Sequence, residues 1–365
     1  MRTLAFLLAA ATALAQSAPQ TLPSHTTESL RGVSVVSRQI AWASGTHGTY
    51  LRTTDGHIWI PDQVPGAESL DFRAVVAFSA DEAFLMSAGP GDQSRIYHTS
   101  DAGRHWQLQF TNTNPKGFFD SMVFWDPTHG VVVGDPIPDK TDKDNDKDKA
   151  TGELKFELLL TTDGQSWTPI PPSQLPPALE GEGAFAASNT CLAILDSNIW
   201  FATGGRAARV FHSPDRGQTW QVFDTPITHG PDSAGIFSIA FRDPTHGVIA
   251  GGDYKHPDQD GPNLAFTADA GKTWTLSQIF PQSYYSAVAY DGKSTTNKNK
   301  NKNKDEARDR LFLVGPKFIY DFRPPQNPTR ISPNKKSDLQ FNAVSPYSTG
   351  GALVVGPEGT IASIP

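Results

Sequence analysis

The chain of 365 residues has very little cysteine, and no long apolar run follows residue 15. The single cysteine, Cys191, excludes an internal disulfide, and its apolar surroundings predict a small buried hydrophobe in a strand. Without a later stretch of about 20 apolar residues, no membrane span is predicted. The formal net charge of −7 argues against a nucleic-acid partner.

Common cofactor motifs are missing as well. The sequence has no Gly-x-Gly-x-x-Gly run after a strand, no cysteine pair for haem attachment and no histidine cluster with metal-ligand spacing. We therefore expect no cofactor.

The first fifteen residues have the composition of a secretory signal peptide. Arg2 precedes an apolar run over residues 4–14, and Ala13-Leu14-Ala15 has the small residues of a cleavage site near Ala15/Gln16. We expect a periplasmic or secreted protein, in which residues 16–365 form a single monomeric domain. This domain must be stabilised by its core alone, because no disulfide is available.

A short pattern recurs roughly every fifty residues, and such a period indicates a repeat fold. Each copy has Ser or Thr, then Asp, Gly and finally Trp. The Asp and Trp positions are Asp55 and Trp59, Asp101 and Trp106, Asp163 and Trp167, Asp215 and Trp220, and Asp269 and Trp274.

We term this repeated pattern the box, and its residues are those of a tight turn between two strands. The Asp carboxylate accepts backbone N–H groups downstream, the Gly supplies a positive φ, and the Ser or Thr adds a local bond. The Trp then begins the outgoing strand and lies between neighbouring sheets. We interpret the five Asp residues as structural, not catalytic.

Four short strands surround each box, and two further units without a box keep the same frame. Four strands per unit correspond to one propeller blade. The prediction is an all-β, seven-bladed β-propeller of four-stranded antiparallel blades. The last unit stops one strand short, so we expect the N-terminal segment to close the ring as its outer strand.

Two polar insertions, at about 138–152 and 291–309, are predicted to be disordered. The first contains Asp142, Asp144, Asp146 and Glu153 at the spacing of a calcium loop, but Lys147 stands where such a loop needs glycine. His129 and His246 occupy equivalent Asp-Pro-Thr-His-Gly turns. We interpret both as turn residues and not as metal ligands.

In a propeller, the loops that precede the first strand and follow the second strand of each blade open on one axial face. The candidates before first strands are Arg31, Arg73, Asp120, Glu182, Tyr285 and Asn342, and those after second strands are Asp135, Arg206, Asp253, Lys317 and Glu358. Aromatic residues such as Phe72, Phe119 and Tyr284 accompany them. This set predicts a binding face around one mouth of the channel.

The boxes, the seven units and segments such as Gly134-Asp135-Pro136 and Gly181 to Ser188 resemble BNR/Asp-box propellers, in particular bacterial relatives of the photosystem II stability and assembly factor. Such WD40/YVTN/BNR-like repeat proteins are sometimes labelled oxidoreductases, although no residue pattern here supports that chemistry. The resemblance implies an exported, non-enzymatic scaffold that binds a protein partner. That assembly factor is implied to use a basic face, whereas the face predicted here mixes charges.

A glycoside hydrolase of the sialidase type is the alternative, with a glycan as ligand. Such enzymes are implied to use an arginine cluster, a Tyr and Glu pair as nucleophile and an Asp acid/base. Tyr285, Glu182 and Asp120 supply these residue types. The Phe-Arg-Ile-Pro motif of sialidases is absent, and sialidases have six blades.

Overall fold

In the part of the chain that the structure describes, thirty strands form seven antiparallel sheets. A computed structural model describes residues 18–141, 150–278, 283–291, 310–316, 318–322, 328–331 and 340–365. Within these ranges the helical structure consists of two short 3-10 turns, Gly91–Gln93 and Pro172–Gln174. The predicted all-β, seven-bladed propeller is confirmed.

The strands follow the chain blade by blade, from the channel outwards. The N-terminal strand is β1 (Gln20–Leu22), and blade 1 is β2 (Leu30–Val35), β3 (Ala41–Gly45), β4 (Thr49–Thr53) and β5 (Ile60–Gln63). Blade 2 is β6 (Asp71–Ala77), β7 (Ala83–Ala88), β8 (Arg95–Thr99) and β9 (Gln107–Thr111). Blade 3 is β10 (Phe119–Asp126), β11 (His129–Thr141), β12 (Ala150–Thr161) and β13 (Thr168–Pro169).

Two short strands that precede and interrupt blade 4, β14 (Glu182–Gly183) and β17 (Gly204–Gly205), pair antiparallel and extend the sheet of blade 5 at its inner edge. Blade 4 is β15 (Leu192–Leu195), β16 (Asn198–Ala202), β18 (Arg209–Ser213) and β19 (Gln221–Asp224). Blade 5 is β20 (Ala234–Phe241), β21 (Gly247–Asp253), β22 (Leu264–Thr267) and β23 (Thr275–Leu276). Blade 6 is β24 (Ala287–Tyr290), β25 (Leu311–Gly315), β26 (Phe318–Phe322) and β27 (Thr329–Arg330), and blade 7 is β28 (Ala343–Pro346), β29 (Ala352–Val355) and β30 (Ile361–Ile364).

The ring closes through the N-terminal strand, as predicted. Strand β1 pairs antiparallel with β30, with Thr21 opposite Ala362 and Leu22 opposite Ile361. Blade 7 thereby gains its fourth, outer strand from the opposite end of the chain. The edge of β30 is covered, and the first and last blades are joined by backbone hydrogen bonds.

The box turns have the predicted hydrogen bonds, in two variants. In the shorter copies the carboxylate accepts two backbone N–H groups, as Asp163 does from Gln165 (2.8 Å) and Ser166 (2.7 Å). These bonds lower the pKa of Asp163 to about 2. In the longer copies, the Asp215 carboxylate accepts the N–H of Thr219 at 2.8 Å. The extra residue there adopts a positive φ, as Arg216 does at 57°.

The box tryptophans pack between blades. Each of the five lies in a core cluster that joins its own blade to the preceding one around the ring, and Trp59 of blade 1 therefore packs on blade 7. Trp59 is only 1% exposed. The tryptophans are therefore part of the contacts that hold neighbouring blades together.

The structure also places the single cysteine and the two histidines of the Asp-Pro-Thr-His-Gly turns. Cys191 is buried in the cluster between blades 3 and 4, and burial raises the pKa of its thiol. His129 and His246 make matching turn contacts with Asp126 and Asp243 at 3.0 Å. No helix within the described ranges is long and apolar enough to cross a membrane.

The insertion predicted at 138–152 is shorter than expected. Strands β11 and β12 continue into it, with Pro138 opposite Leu154 and Thr141 opposite Ala150. Backbone hydrogen bonds between two strands do not require apolar side chains. The polar composition therefore placed the boundaries of the insertion too early and too late. The signal peptide, most of the insertion at 291–309 and the calcium candidates Asp142, Asp144 and Asp146 lie outside the described residues. Glu153 pairs with Lys155 at 3.0 Å.

Candidate functional site

A cavity of about 560 Å³ opens at one mouth of the central channel. All seven blades, or the segments leading into them, contribute to its wall: Arg31, Arg73, Phe118, Asp120, Asp135, residues 184–187, Phe237, Tyr254, Tyr284, Ser286, Pro316 and Asn342. The box turns connect third to fourth strands and therefore lie on the opposite axial face.

Backbone bulges position four of these side chains. In blades 1, 2, 3 and 5 the pairing of the first two strands skips one residue, namely Arg31, Arg73, Asp120 and Phe237. A bulge places an extra residue against a single partner and redirects its side chain. The same irregularity, repeated in four blades, thus places two cations, one carboxyl group and one aromatic ring in the mouth.

Two arginines share one carboxylate on one side of the mouth. The Arg73 Nε donates to Asp71 Oδ2 at 2.6 Å, whereas Arg31 Nε lies 4.0 Å from Asp71 Oδ1. Neither Arg31 Nε nor Asp71 Oδ1 has a hydrogen-bond partner among the described residues. Burial, followed by repulsion from Arg73, lowers the pKa of Arg31. The pair therefore has an excess of positive charge.

Two carboxyl groups lie next to the arginines. Asp120 is 1% exposed, and its Oδ2 has no hydrogen-bond partner within the described ranges. Burial and the nearby Asp135 hold the pKa of Asp120 well above its ordinary value. Burial also raises the pKa of Asp135 to about 6. The raised pKa favours the protonated form of Asp120, which can offer the cavity a hydrogen-bond donor.

The segment 184–187 crosses towards these residues from the loop before blade 4. The Ala184 N–H donates to Asp135 Oδ1 at 2.9 Å, and Arg73 Nη1 donates to the Ala186 carbonyl at 2.7 Å. Asp135 and Arg73 come from blades 3 and 2, so the segment ties three parts of the ring together. Its backbone forms part of the wall that a ligand would contact.

Aromatic rings form the other side of the mouth. Phe185 and Phe237 stack with centroids 4.0 Å apart and an interplanar angle of 6°. Tyr284 and Tyr254 make T-shaped contacts with Phe237, with ring centroids 4.9 and 6.1 Å apart. Tyr254 is 48% exposed, so this half presents a ring to solvent. The mouth therefore combines an ionic half with an aromatic half.

Five of the eleven residues predicted for the binding face line the cavity: Arg31, Arg73, Asp120, Asp135 and Asn342. Arg206 is exposed at the turn where its N–H donates to Gly181. Asp253 accepts Lys255 N–H and contacts His256, both at 2.9 Å, which closes the loop next to Tyr254. Glu358 is exposed in the β29–β30 turn, and Lys317 lies outside the described residues.

Tyr285 and Glu182 do not belong to the face, which corrects two predictions. Tyr285 lies just before β24 and is fully buried in the cluster between blades 5 and 6, where its backbone N–H donates to the Gly251 carbonyl. Phe72 and Phe119 are likewise buried between blades. The adjacent Tyr284 is the residue that reaches the mouth.

Glu182 lies in a buried ion pair and not at the start of a first strand. Its carboxylate accepts Nε of Arg209 at 2.9 Å and also contacts Nη2, and Thr203 Oγ1 donates to it at 2.6 Å. Tyr285, Glu182 and Asp120 therefore do not converge as the sialidase alternative requires. Among the described residues, no group of three or more His, Cys, Asp or Glu side chains could hold a metal ion.

Sequence reasoning missed Asp71, Phe118, Phe185, Phe237 and Tyr254. Phe237 could have been found, because it occupies the same position in blade 5 as Arg31 and Arg73 do in theirs. Phe185 lies in an irregular segment, for which strand periodicity gives no signal.

These features define a seven-bladed β-propeller with a polar and aromatic cavity at one mouth of its channel. No protein-family profile matches the chain, and no curated protein matches it in sequence. Among solved structures, YCF48 bound to D1 peptide is similar, with a TM-score of 0.65 at 15% identity over 96% of this chain and 98% of that one. YCF48 from Cyanidioschyzon merolae gives 0.61 at 15% identity over 95% and 98%.

Streptogramin B lyase, an enzyme, gives a TM-score of 0.64 at 9% identity over 94% of this chain and 95% of that one. At such identities the similarities show the fold alone. The similarity to YCF48, a photosystem II assembly factor, confirms for the fold the resemblance that the sequence predicted. The enzyme among the neighbours shows that this architecture also occurs in a catalyst.

Proposed function

We propose that the protein is an exported, non-enzymatic scaffold that binds an acidic segment of a protein partner in its central mouth. The observation that carries this proposal is the pair Arg31 and Arg73, which share Asp71 inside a cavity walled by all seven blades. A carboxylate of the partner would complete the coordination of Arg31, whose Nε has no hydrogen-bond partner among the described residues.

The aromatic half supports a peptide as the ligand. Tyr254 and the Phe185–Phe237 stack provide flat apolar surface next to the charges, and aromatic residues and arginine are enriched in protein interfaces. The structure of YCF48 bound to D1 peptide supports peptide binding by a propeller of this shape. Export rests on the signal-peptide pattern of residues 1–15.

The test is a crosslinking pull-down from the envelope fraction of the native organism, using wild type beside Arg73→Glu and Arg206→Glu. Arg206 is an exposed arginine that does not line the cavity, so its reversal is the matched control. We expect a partner that is captured by wild type and Arg206→Glu and lost with Arg73→Glu. Equal capture by all three proteins would refute the mouth as the binding site. Turnover of a glycoside panel by wild type would refute the non-enzymatic role.

A further inference from the structure

The segment 184–190, which leads into blade 4, lies across the central channel below the mouth. Its first four residues line the cavity. Farther along, Asn189 Nδ2 donates to the Met122 carbonyl of blade 3 at 3.0 Å. Thr190 Oγ1 donates to Ser238 Oγ of blade 5 at 2.8 Å. Because the first strand of each blade borders the channel, these contacts place the segment inside it. The cavity therefore has a floor, and a partner chain must enter and leave through the same opening.

Tyr284 joins the two halves of the mouth. Its ring makes a T-shaped contact with Phe237, with centroids 4.9 Å apart. Burial raises the pKa of its hydroxyl, whereas the positive charge of Arg31 acts in the opposite direction, so this hydroxyl lies within electrostatic reach of Arg31. Both rings and the arginine line one cavity of about 560 Å³. One tyrosine side chain thus spans the distance from the aromatic half to the arginine.

A ligand that contacts both halves needs a carboxylate and a ring on the same side of its backbone. Side chains two positions apart in an extended peptide lie on one side, about 7 Å from each other. We propose that the mouth recognises an acidic residue and an aromatic residue two positions apart in the partner's chain, an assignment that rests on the proposed scaffold function. The carboxylate pairs with Arg31, and the ring packs against Phe185 and Tyr254. The positive charge alone would accept any acidic segment, so the aromatic half supplies the specificity.

The experiment is a ¹⁹F NMR titration of wild type with blocked tripeptides. The probes are acetyl-Asp-Ala-Phe-amide and acetyl-Phe-Ala-Asp-amide, each with 4-fluorophenylalanine as its aromatic residue. Replacing Asp by Asn in a probe removes the charge and keeps the shape. Unlabelled acetyl-Asp-Ala-Ala-amide, which lacks the ring, competes against the labelled probe. These comparisons need no change in the protein, so they test the proposal even where a variant does not fold.

Arg31→Gln and Tyr254→Ala each weaken one half of the mouth. Arg206→Gln and Leu108→Ala are the matched controls and should bind like wild type, because both residues are exposed and neither lines the cavity. With wild type, we expect a loss of affinity of at least about tenfold when the probe lacks either its charge or its ring. In Arg31→Gln the Asp and Asn probes should bind equally. Tyr254→Ala should keep the preference for Asp and reduce the contribution of the ring.

No saturable binding of either probe to wild type would overturn the proposal. Equal affinity for the peptides with and without the ring would also overturn it, but would leave the proposed function standing, since an acidic segment alone would then suffice. A preference for Asp over Asn that persists in Arg31→Gln would overturn the location. Equal binding of acetyl-Ala-Ala-(4-fluorophenylalanine) with a free carboxylate would overturn the assignment to an acidic side chain, because a chain end would then serve as well.

Discussion

Replacing Asp135 with Asn should stabilise the protein above pH 6. Asp135 is half-buried in the wall of the cavity, and partial burial raises its pKa to about 6 from 3.8, so its ionised form is disfavoured in the folded state. At about 1.4 kcal/mol for each pKa unit, ionisation costs roughly 3 kcal/mol of stability, which is lost between about pH 4 and pH 6. The Asn side chain carries no charge, and its Oδ1 can still accept the Ala184 N–H.

The assay is thermal and urea unfolding of wild type and Asp135→Asn from pH 4 to pH 8. We expect the two proteins to be equally stable near pH 4 and the variant to melt roughly 5 °C higher at pH 8. Asp71→Asn is the control, because Asp71 lies between two arginines and its loss should destabilise the protein at neutral pH. Equal stability of Asp135→Asn and wild type at pH 8 would refute the burial argument. A carboxylate kept at such a cost is typical of a functional site.

Three further predictions concern the same architecture. Trp59→Ala should lose about 3–5 kcal/mol in urea unfolding, and the half-buried Trp106→Ala should lose less; equal losses would show that burial between blades does not set the effect. Deleting residues 16–23 should lower the melting temperature by several degrees, because the pairing of β1 with β30 is lost, and an unchanged value would refute the closure of the ring. The affinity for an acidic partner segment should fall as pH rises from 5 to 7, since Asp135 gains negative charge in the cavity that Arg31 and Arg73 also line; titration calorimetry with Asp135→Asn should show a flatter profile.

The repeats carry most of the information on the fold. The spacing of Asp and Trp predicted the turns, the packing between blades and the number of sheets, because the same turn and the same contact between neighbouring blades recur with each repeat. The missing strand of blade 7 predicted the position of β1, since an open edge must be paired. These features depend on local chemistry that recurs along the chain.

Only part of the candidate site could be predicted from the sequence. Arg31, Arg73 and Asp120 were found because each lies within the first three residues of the first strand of its blade. Tyr285 was misplaced by one residue, since it precedes β24 and its neighbours Tyr284 and Ser286 are the residues that line the cavity. The partner of Glu182 is Arg209, 27 residues away, and no local pattern indicates their contact.

Site-specific photocrosslinking tests the mouth as the binding site most directly. A benzophenone amino acid would replace the exposed Tyr254 in the mouth or, as control, the exposed Leu108 on the outer strand of blade 2. With the partner captured by wild type, we predict an adduct from position 254 that disappears in Arg31→Ala, and none from position 108. An adduct from position 108 alone would contradict a binding site at the central mouth.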